Sequence, residues 1–381
     1  MTIGIDASRL ESQQKTGVEW YVYFLLLQMK QSVDTRTKVI LYSRVPIIRQ
    51  LGDLPKNWEN RVLGWPPKRL WTQLRLSWEM FRRPVDVLFV PAHVFPIVHP
   101  KKTVMMVHDI AAYRQPQVYS WFERWYSLWS AKFAALHLWK VIVPSEFTKE
   151  ELLDYLTNKK HYTTQQIEPI AQKIQVVHHG YDKGYEQRSD PKKVSKILNK
   201  YGIQKSYILS VGRLELKKNT VQIIQSFEKL KERLPEVDLQ LVLVGKPGYG
   251  YEKIELALRE SPYRDDIILP GWIPQEHMRA LYALAEVFLY PSVYEGFGMP
   301  LLESFASKTP VIASDLQVLE EVGGQAGVYV DFSDVESIAR SLEAILKIDT
   351  LREEKIQLGQ ERLQQFSWKK CAQETLQSLL G

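Results

Sequence analysis

Val287-Phe-Leu-Tyr-Pro-Ser-Val-Tyr-Glu-Gly-Phe-Gly-Met-Pro-Leu-Leu-Glu-Ser304 is the most informative stretch of this 381-residue chain. Its first four residues are bulky and apolar, as in a buried strand. A loop containing Gly296 and Gly298 follows, and Pro300 suits the first turn of a helix. Glycines let a backbone approach a ligand closely. A helix N-terminus offers N–H groups and the positive end of its dipole to an anion. Two carboxylates, Glu295 in the loop and Glu303 in the early helix, stand eight positions apart. Carboxylates accept hydrogen bonds from hydroxyls and do not bind phosphate. The order is therefore hydroxyl acceptor, phosphate site, hydroxyl acceptor, which matches a sugar, a diphosphate and a ribose. The same residues also read as a helix cap with an acidic first turn, and local chemistry leaves both readings open.

Working outward, the second half alternates strands (207–211, 239–244, 267–269, 287–290, 310–313) with helices (220–234, 251–260, 275–285, 300–307). The first half does the same, with strands at 2–5, 38–42, 85–90, 102–107, 140–143 and 174–177 and helices at 18–30 and 121–137. Such alternation argues for parallel βα units. Between the halves lies a polar, lysine-rich segment with Ser189-Asp-Pro191, read as a linker plus a short helix. The expectation is an α/β protein with two doubly wound parallel sheets, and a cleft between them where ligands of open α/β folds bind.

Composition agrees. Apolar residues make up 45% and charged residues 25%, which excludes disordered, collagen-like and coiled-coil classes. A lone Cys371 excludes an internal disulfide and a multi-cysteine metal site, and fits a reducing compartment. Met1-Thr-Ile-Gly-Ile-Asp6 reads as a strand and not a signal peptide. No uncharged apolar run reaches the roughly 18 residues that a membrane span needs. A net charge of +6 points to an anionic partner: nucleic acid, acidic lipid or a phosphorylated small molecule. No known nucleic-acid module is present, so nucleic acid is disfavoured.

A second cluster is Leu209-Ser-Val-Gly-Arg-Leu-Glu-Leu-Lys-Lys-Asn219, a strand ending in Gly212-Arg213 with Lys217-Lys218 before a helix. Basic residues there would neutralise a diphosphate; the bland alternative is a solvated basic turn. Gly245-Lys-Pro-Gly-Tyr-Gly250 is a further strand-end turn. In the first half, Val104-Met-Met-Val-His-Asp109 ends in His108, which can donate to a sugar hydroxyl or to developing charge, or serve structure alone. Lys15-Thr-Gly-Val-Glu-Trp20 joins the first strand to the first helix. Ser145 reads as a helix cap. His178 and His179, adjacent on a strand, point to opposite faces.

The ordered set Gly212-Arg213, Lys218-Asn219, Leu243-Val-Gly245, Gly271-Trp272, Tyr290-Pro-Ser292, Glu295-Gly-Phe-Gly-Met-Pro300, Glu303 and Glu321-Val-Gly-Gly324 resembles the retaining glycosyltransferases of family 4. The resemblance is strongest from 207 to 331. It implies a GT-B fold with an acceptor-binding Rossmann-like domain at 1–185, a linker at 186–204, a donor-binding Rossmann-like domain at 205–365 and a final helix at 366–381 crossing back to the first domain. It implies that Glu295 holds donor-sugar hydroxyls, Glu303 the ribose, Arg213 and Lys218 the diphosphate, and that Gly298 and Met299 present amides to the leaving phosphate and sugar. Gly17, Gly212, Gly245, Gly296 and Phe297 would complete the donor site, with His108 beside the sugar. Family members often carry an arginine after the glycine-rich first loop; here Glu19-Trp20 stands instead.

The implied activity transfers a hexosyl unit from a nucleoside-diphosphate sugar, of GDP-mannose or UDP-glucose type, to a glycan or lipid-linked acceptor. No Asp-x-Asp pair is present for a metal, so no metal cofactor is expected; the nearest miss is Asp334-Val-Glu336. A nicotinamide or flavin oxidoreductase is disfavoured because neither first strand leads into G-x-G-x-x-G. The alternative is a non-catalytic sugar-nucleotide or polysaccharide-binding module. Two aromatic stretches remain. Trp65, Trp71 and Trp78 fall among Lys68, Arg69, Arg75, Arg82 and Arg83 against Glu79, which reads equally as core or as a surface for an anionic membrane. Trp121, Trp125, Trp129 and Phe133 recur every four residues, which favours a core-facing helix. The expected location is cytoplasmic, peripheral on the inner face of the cell membrane if the first stretch is a surface.

Overall fold

The computed structural model describes residues 1–12, 14–65, 70–187 and 190–381; Lys68, Arg69 and Ser189 lie outside the described residues. Contacts divide the chain into two units, Met1–Gly180 with Phe366–Gly381, and Tyr181–Gln365.

The first unit holds a seven-stranded parallel sheet: β1 (Thr2–Asp6), β2 (Lys38–Ser43), β3 (Trp58–Val62), β4 (Val87–Val90), β5 (Thr103–Met106), β6 (Lys140–Val143) and β7 (Ile174–Val176), in the order β3-β2-β1-β4-β5-β6-β7. The second holds a six-stranded parallel sheet: β8 (Ser206–Val211), β9 (Leu239–Val244), β10 (Ile267–Gly271), β11 (Val287–Tyr290), β12 (Val311–Ser314) and β13 (Gly327–Val330), in the order β10-β9-β8-β11-β12-β13. Central strands are buried along their length: every residue of β4, β9, β11 and β12 is inside. That is why they are apolar almost throughout, Gln240 and Ser314 being the polar exceptions, as strands of a parallel sheet covered on both faces are. Each sheet reverses direction once, between β1 and β4 and between β8 and β11. Such a reversal is the switch point at which open α/β sheets bind ligands.

Two edge strands, β3 and β13, go beyond the sequence reading. β3 is Trp58-Glu-Asn-Arg-Val62, polar at its centre and part-exposed, so it lacks the apolar run of its neighbours. β13 is four residues with two part-exposed positions. The segment read as a linker at 186–204 belongs largely to the second unit. Asp190 accepts from the amide of Lys192 at 3.0 Å to start the helix Pro191–Lys200. That helix buries Val194 and packs on the helix Gln275–Leu284, where Tyr201 Oη lies 2.7 Å from His277 Nδ1.

The last helix, Trp368–Leu380, begins at Ser367, whose hydroxyl accepts from the Lys370 amide at 3.1 Å. It packs in the first unit against the helix Gly17–Ser32. Trp368 stacks on Phe24 with ring centroids 5.4 Å apart. Gly180 permits this approach: a Cβ there would lie 2.1 Å from the backbone nitrogen of Trp368.

The aromatic stripe of Trp121–His137 corrects the core reading. Its inward face is Ser130, Ala131, Ala134 and Ala135, small residues that let the helix lie close on the sheet. Trp121 is 79% exposed and Trp125 51%. A period of four identifies one face of a helix and not its destination. In the other stretch the residues divide: Trp71 is core, its indole N–H donating to Leu63 O at 2.8 Å, whereas Trp78 is exposed. No helix among the described residues is long and apolar enough to cross a membrane.

Candidate active site

β8 and β11 are neighbours at the switch point, in the register Ser210↔Leu289, so the loops leaving their C-terminal ends meet. Three hydrogen bonds join them. Val293 N donates to Lys217 O at 3.0 Å. Asn219 Nδ2 donates to Pro291 O at 2.9 Å. Lys218 Nζ donates to Ser292 Oγ at 2.8 Å. Asn219 adopts φ +44°, a left-handed conformation that asparagine tolerates better than most residues. It thereby turns the chain from Leu216–Lys218 into the helix Thr220–Arg233.

This junction delivers Lys218 onto Glu295. The ammonium donates to Glu295 Oε1, and Ser292 Oγ donates to the same oxygen at 2.6 Å. Lys218 also lies 5.5 Å from the centroid of the Tyr290 ring. Burial alone would push the Glu295 carboxyl up, but the Lys218 charge and the bonds from Lys218, Ser292 and Tyr290 outweigh it. The carboxyl is held below its ordinary value and is ionised. Glu295 and Lys218, which the resemblance assigns to different parts of a donor, hold each other. Arg213 is mostly exposed and lines one crevice with Gly212, Lys218 and Pro291.

Gly245 ends β9 at φ +153°, and a Cβ there would fall 1.7 Å from Gly212 O. Its role in the structure is to let two strand ends touch. Gly298, at φ +107°, is the N-cap of the helix Met299–Ala306 and supplies no side-chain acceptor to its first amides. Phe297 is 4% exposed and Gly296 is buried beside it, so the ring anchors the loop in the core.

Glu303 lies further along that helix. Tyr185, Tyr282 and Gln275 present polar groups toward its carboxyl that favour the charged form, with Asp182 nearby. Gln275 Nε2 also donates to Tyr185 Oη at 3.0 Å, and Asp182 pairs with Arg279 at 2.6 Å. Burial, then repulsion from Asp182, push the Glu303 carboxyl up to about 7 against the pull of those three polar groups.

The other two expected residues lie in the first unit. His108 follows β5, and its Nε2 is 2.9 Å from Pro91 O. A carbonyl only accepts, so Nε2 carries the proton and donates it inward. The His108 backbone amide donates to His93 Nε2 at 2.7 Å. Burial, with His93 adjacent, pushes the His108 ring down to about 3. His108 is therefore neutral, and its Nδ1 is an acceptor. In this tautomer the ring's proton is directed to Pro91. Gly17 opens the first helix behind Thr16, and Glu19 closes the capping box by accepting from the Thr16 amide at 3.0 Å. The departure at Glu19 thus has a structural use. Asp334 likewise caps the helix Val335–Lys347, accepting from Glu336 and Ser337 amides at 3.0 Å. Ser145 caps its helix through the Thr148 amide at 3.0 Å.

Sequence reasoning missed Ser292, though it sits in the opening stretch, three residues before the glutamate it serves. It also missed Tyr185, Gln275 and Tyr282 around Glu303, which no spacing signals.

The two parallel sheets are those of a GT-B fold, and the same fold extends over the whole chain in the crystal structure of Anabaena HepE in complex with UDP-glucose. The TM-score is 0.72 at 16% identity, covering 100% of this chain and 99% of that one. Residues 193–362 match the glycosyl transferases group 1 family, so the second unit carries a domain of that kind. Over 191 residues the chain is 33% identical to O-antigen chain mannosyltransferase B of Escherichia coli, covering 49% of each protein. It is 30% identical over 191 residues, 49% of this chain and 50% of the relative, to the N-acetylgalactosamine-N,N'-diacetylbacillosaminyl-diphospho-undecaprenol 4-alpha-N-acetylgalactosaminyltransferase of Campylobacter jejuni. The matched part spans about half the length of each of these relatives.

Proposed function

We propose that this protein is a retaining glycosyltransferase of family 4, moving a hexosyl unit from a nucleoside-diphosphate sugar of GDP-mannose or UDP-glucose type to a hydroxyl of a glycan or lipid-linked acceptor. The observation that carries the proposal is the Lys218–Ser292–Glu295 cluster beside the start of the helix Met299–Ala306, at the sheet reversal. Two relatives named as glycosyltransferases, one with a diphospho-undecaprenol acceptor in its name, support the reaction and the acceptor class.

On donor entry, Lys218 and Arg213 take the diphosphate charge. Glu295, released from Lys218, accepts from sugar hydroxyls, and Glu303 accepts from the ribose. The bond from the anomeric carbon to the phosphate oxygen breaks, and the acceptor oxygen bonds to the same face. The acceptor proton passes to the departing phosphate, whose charge Lys218, Arg213 and the helix amides hold. No carboxylate nucleophile is required. The first unit takes the acceptor, and His108, with Nδ1 as an acceptor, orients a hydroxyl without supplying a proton. A cytoplasmic enzyme on the inner face of the cell membrane would meet a lipid-linked acceptor there.

The decisive experiment is thermal-shift screening against nucleoside diphosphates, then turnover with the matching sugar donors. A ligand at 100 times its dissociation constant adds about 2.7 kcal/mol of stability. Binding without turnover would favour the non-catalytic module. Because Arg213 and Lys218 stand in for a metal's charge, turnover is expected to survive excess EDTA; full loss restored only by a divalent cation would refute that.

Glu303 sets a pH dependence. Ribose hydroxyls need the ionised carboxylate, and protonation competes with them. With the carboxyl at about 7, affinity for a nucleotide sugar should rise about tenfold from pH 6 to pH 8. A nucleotide sugar is the right probe because its esterified diphosphate does not titrate near neutrality. The Glu303→Gln protein should bind weakly at both pH values and lose the slope; a slope that persists in it would remove Glu303 from the ribose. The same shift acts on stability. The folded carboxyl holds its proton more tightly than the unfolded one, so its contribution is complete below the unfolded value of about 4.3 and is lost as pH rises through the folded value.

A further inference from the structure

We infer that the first unit carries a docking face for an anionic lipid bilayer, built from the N-terminal half of the helix Trp121–His137, the loop at 95–99 and the helix Ser77–Arg82. This gives the membrane location proposed above a surface, and it stands apart from the donor site.

The three segments are neighbours. Val98 N donates to Ser77 Oγ at 3.2 Å, joining the loop to one helix. Phe95 stacks on Trp129 and Phe133, with centroids 5.6 Å and 4.6 Å away, joining it to the other. Gln73 Nε2 donates to Tyr126 Oη at 3.0 Å, just before the first helix. Across this surface Trp121, Phe122, Trp125, Trp78, Phe81 and Ile97 are each more than half exposed. Isolated exposed apolar residues are ordinary, but several large ones on adjoining elements mark an interaction surface. Trp125 and Trp129 already stack on each other at 5.9 Å, so little ordering remains to be done on binding.

Charge selects the occupant. Arg82, 5.8 Å from the Trp78 ring centroid, and Arg83, Lys101, Lys102 and Arg124 are exposed on the same segments or immediately after them. The acids there are fewer than the cations. Glu79 is buried and paired with Arg61 and Arg75. Glu123, held in its own helix cap by Ser120, and Asp86, which accepts from the Thr2 amide, keep their charge, but the five exposed cations outnumber them. Indoles flanked by cations fit the interface of an anionic leaflet. A second copy of this face would bring the same cations against one another, which costs energy.

The test is sedimentation of the full-length protein with phosphatidylcholine vesicles containing or lacking 30% phosphatidylglycerol, with no donor or acceptor present. Binding is expected to the anionic vesicles only, with release by about 0.5 M salt. Each cation near the leaflet contributes about fivefold in partitioning, so Arg82→Glu with Arg83→Glu should cost at least about 25-fold. Trp121→Ser with Phe122→Ser and Trp125→Ser should cost about 100-fold. These side chains are exposed, so the thermal midpoint and nucleoside diphosphate binding should match the parent. That match separates loss of this face from failure of the donor-site reading. Absence of binding at low salt, equal binding to both vesicles, or binding untouched by the aromatic triple would overturn the inference. So would a dimer in sedimentation velocity that the triple abolishes while vesicle binding is absent, since a second copy would then be the occupant.

Discussion

A Glu295→Gln protein is expected to fold normally, bind the nucleoside diphosphate at least as well as the parent, and turn over donor about 10²–10³-fold more slowly, the cost of losing one transition-state hydrogen-bond partner. The shape is nearly conserved, so the Ser292 hydroxyl and the Lys218 ammonium keep an oxygen to bond. The charge is what disappears. In the structure that charge holds Lys218, and in the proposed reaction it accepts from the hydroxyls of a sugar that is gaining positive character. Removing it should spare the diphosphate, because Lys218 is then held only by a neutral amide oxygen, which competes weakly with phosphate. The Glu295→Ala protein should lose as much in rate and some stability besides. It leaves an ammonium whose side chain is only 21% exposed without its carboxylate. The pair of measurements is kcat with the sugar donor and Kd for the diphosphate by calorimetry. Near-parental kcat in the glutamine variant removes Glu295 from the chemistry. A fall in diphosphate affinity with unchanged kcat would exchange the roles given to Glu295 and Lys218.

Loss of the last helix should have the largest effect on stability. Phe366, Trp368, Cys371, Ala372, Leu376 and Leu379 are all buried in the first unit. Trp368 packs on Phe24, Tyr21 and His179. Trp368→Ala alone should cost about 3–5 kcal/mol, by loss of apolar burial and the cavity left behind. Against the roughly 5–15 kcal/mol that holds a folded domain, that is a large share. Deleting 366–381 removes all six side chains and should leave the first unit unfolded or aggregated under conditions where the parent is soluble. Urea titration followed by near-ultraviolet circular dichroism reads both variants. A truncated protein with the parental midpoint would show that the helix contributes nothing to that unit.

Much of the fold was readable because parallel sheets write themselves locally. β4 and β11 are unbroken apolar runs and β9 is broken only by Gln240, while the helices between the strands carry the 3.6-residue period. The helices Trp121–His137, Tyr251–Glu260 and Trp368–Leu380 end where that pattern and their caps end. β3 and β13 escaped because an edge strand needs to bury only part of its surface, so its residues need not be apolar. Of the candidate site, the loop, its glycines and the spacing of Glu295 and Glu303 are local facts of the chain. So is the basic turn at Arg213 and Lys218.

Tertiary structure alone decided what those groups meet. Lys218 and Glu295 are 77 positions apart and touch only because β8 and β11 are neighbours in the sheet. Glu303 is raised to about 7 by burial and by Asp182, 121 positions earlier, against polar groups of residues up to 118 positions away. The His108 ring is neutral because folding buries it and brings the ring of His93 beside it, against the opposing pull of the Pro91 carbonyl. The tryptophans at 121 and 125 face outward because alanines farther along their helix occupy the sheet. Periodicity, capping and glycine placement act over a few residues, and a sequence states them directly. Burial and electrostatic neighbours are set by which strands pair, and those contacts alone fix the charge of a carboxyl and the exposure of an indole.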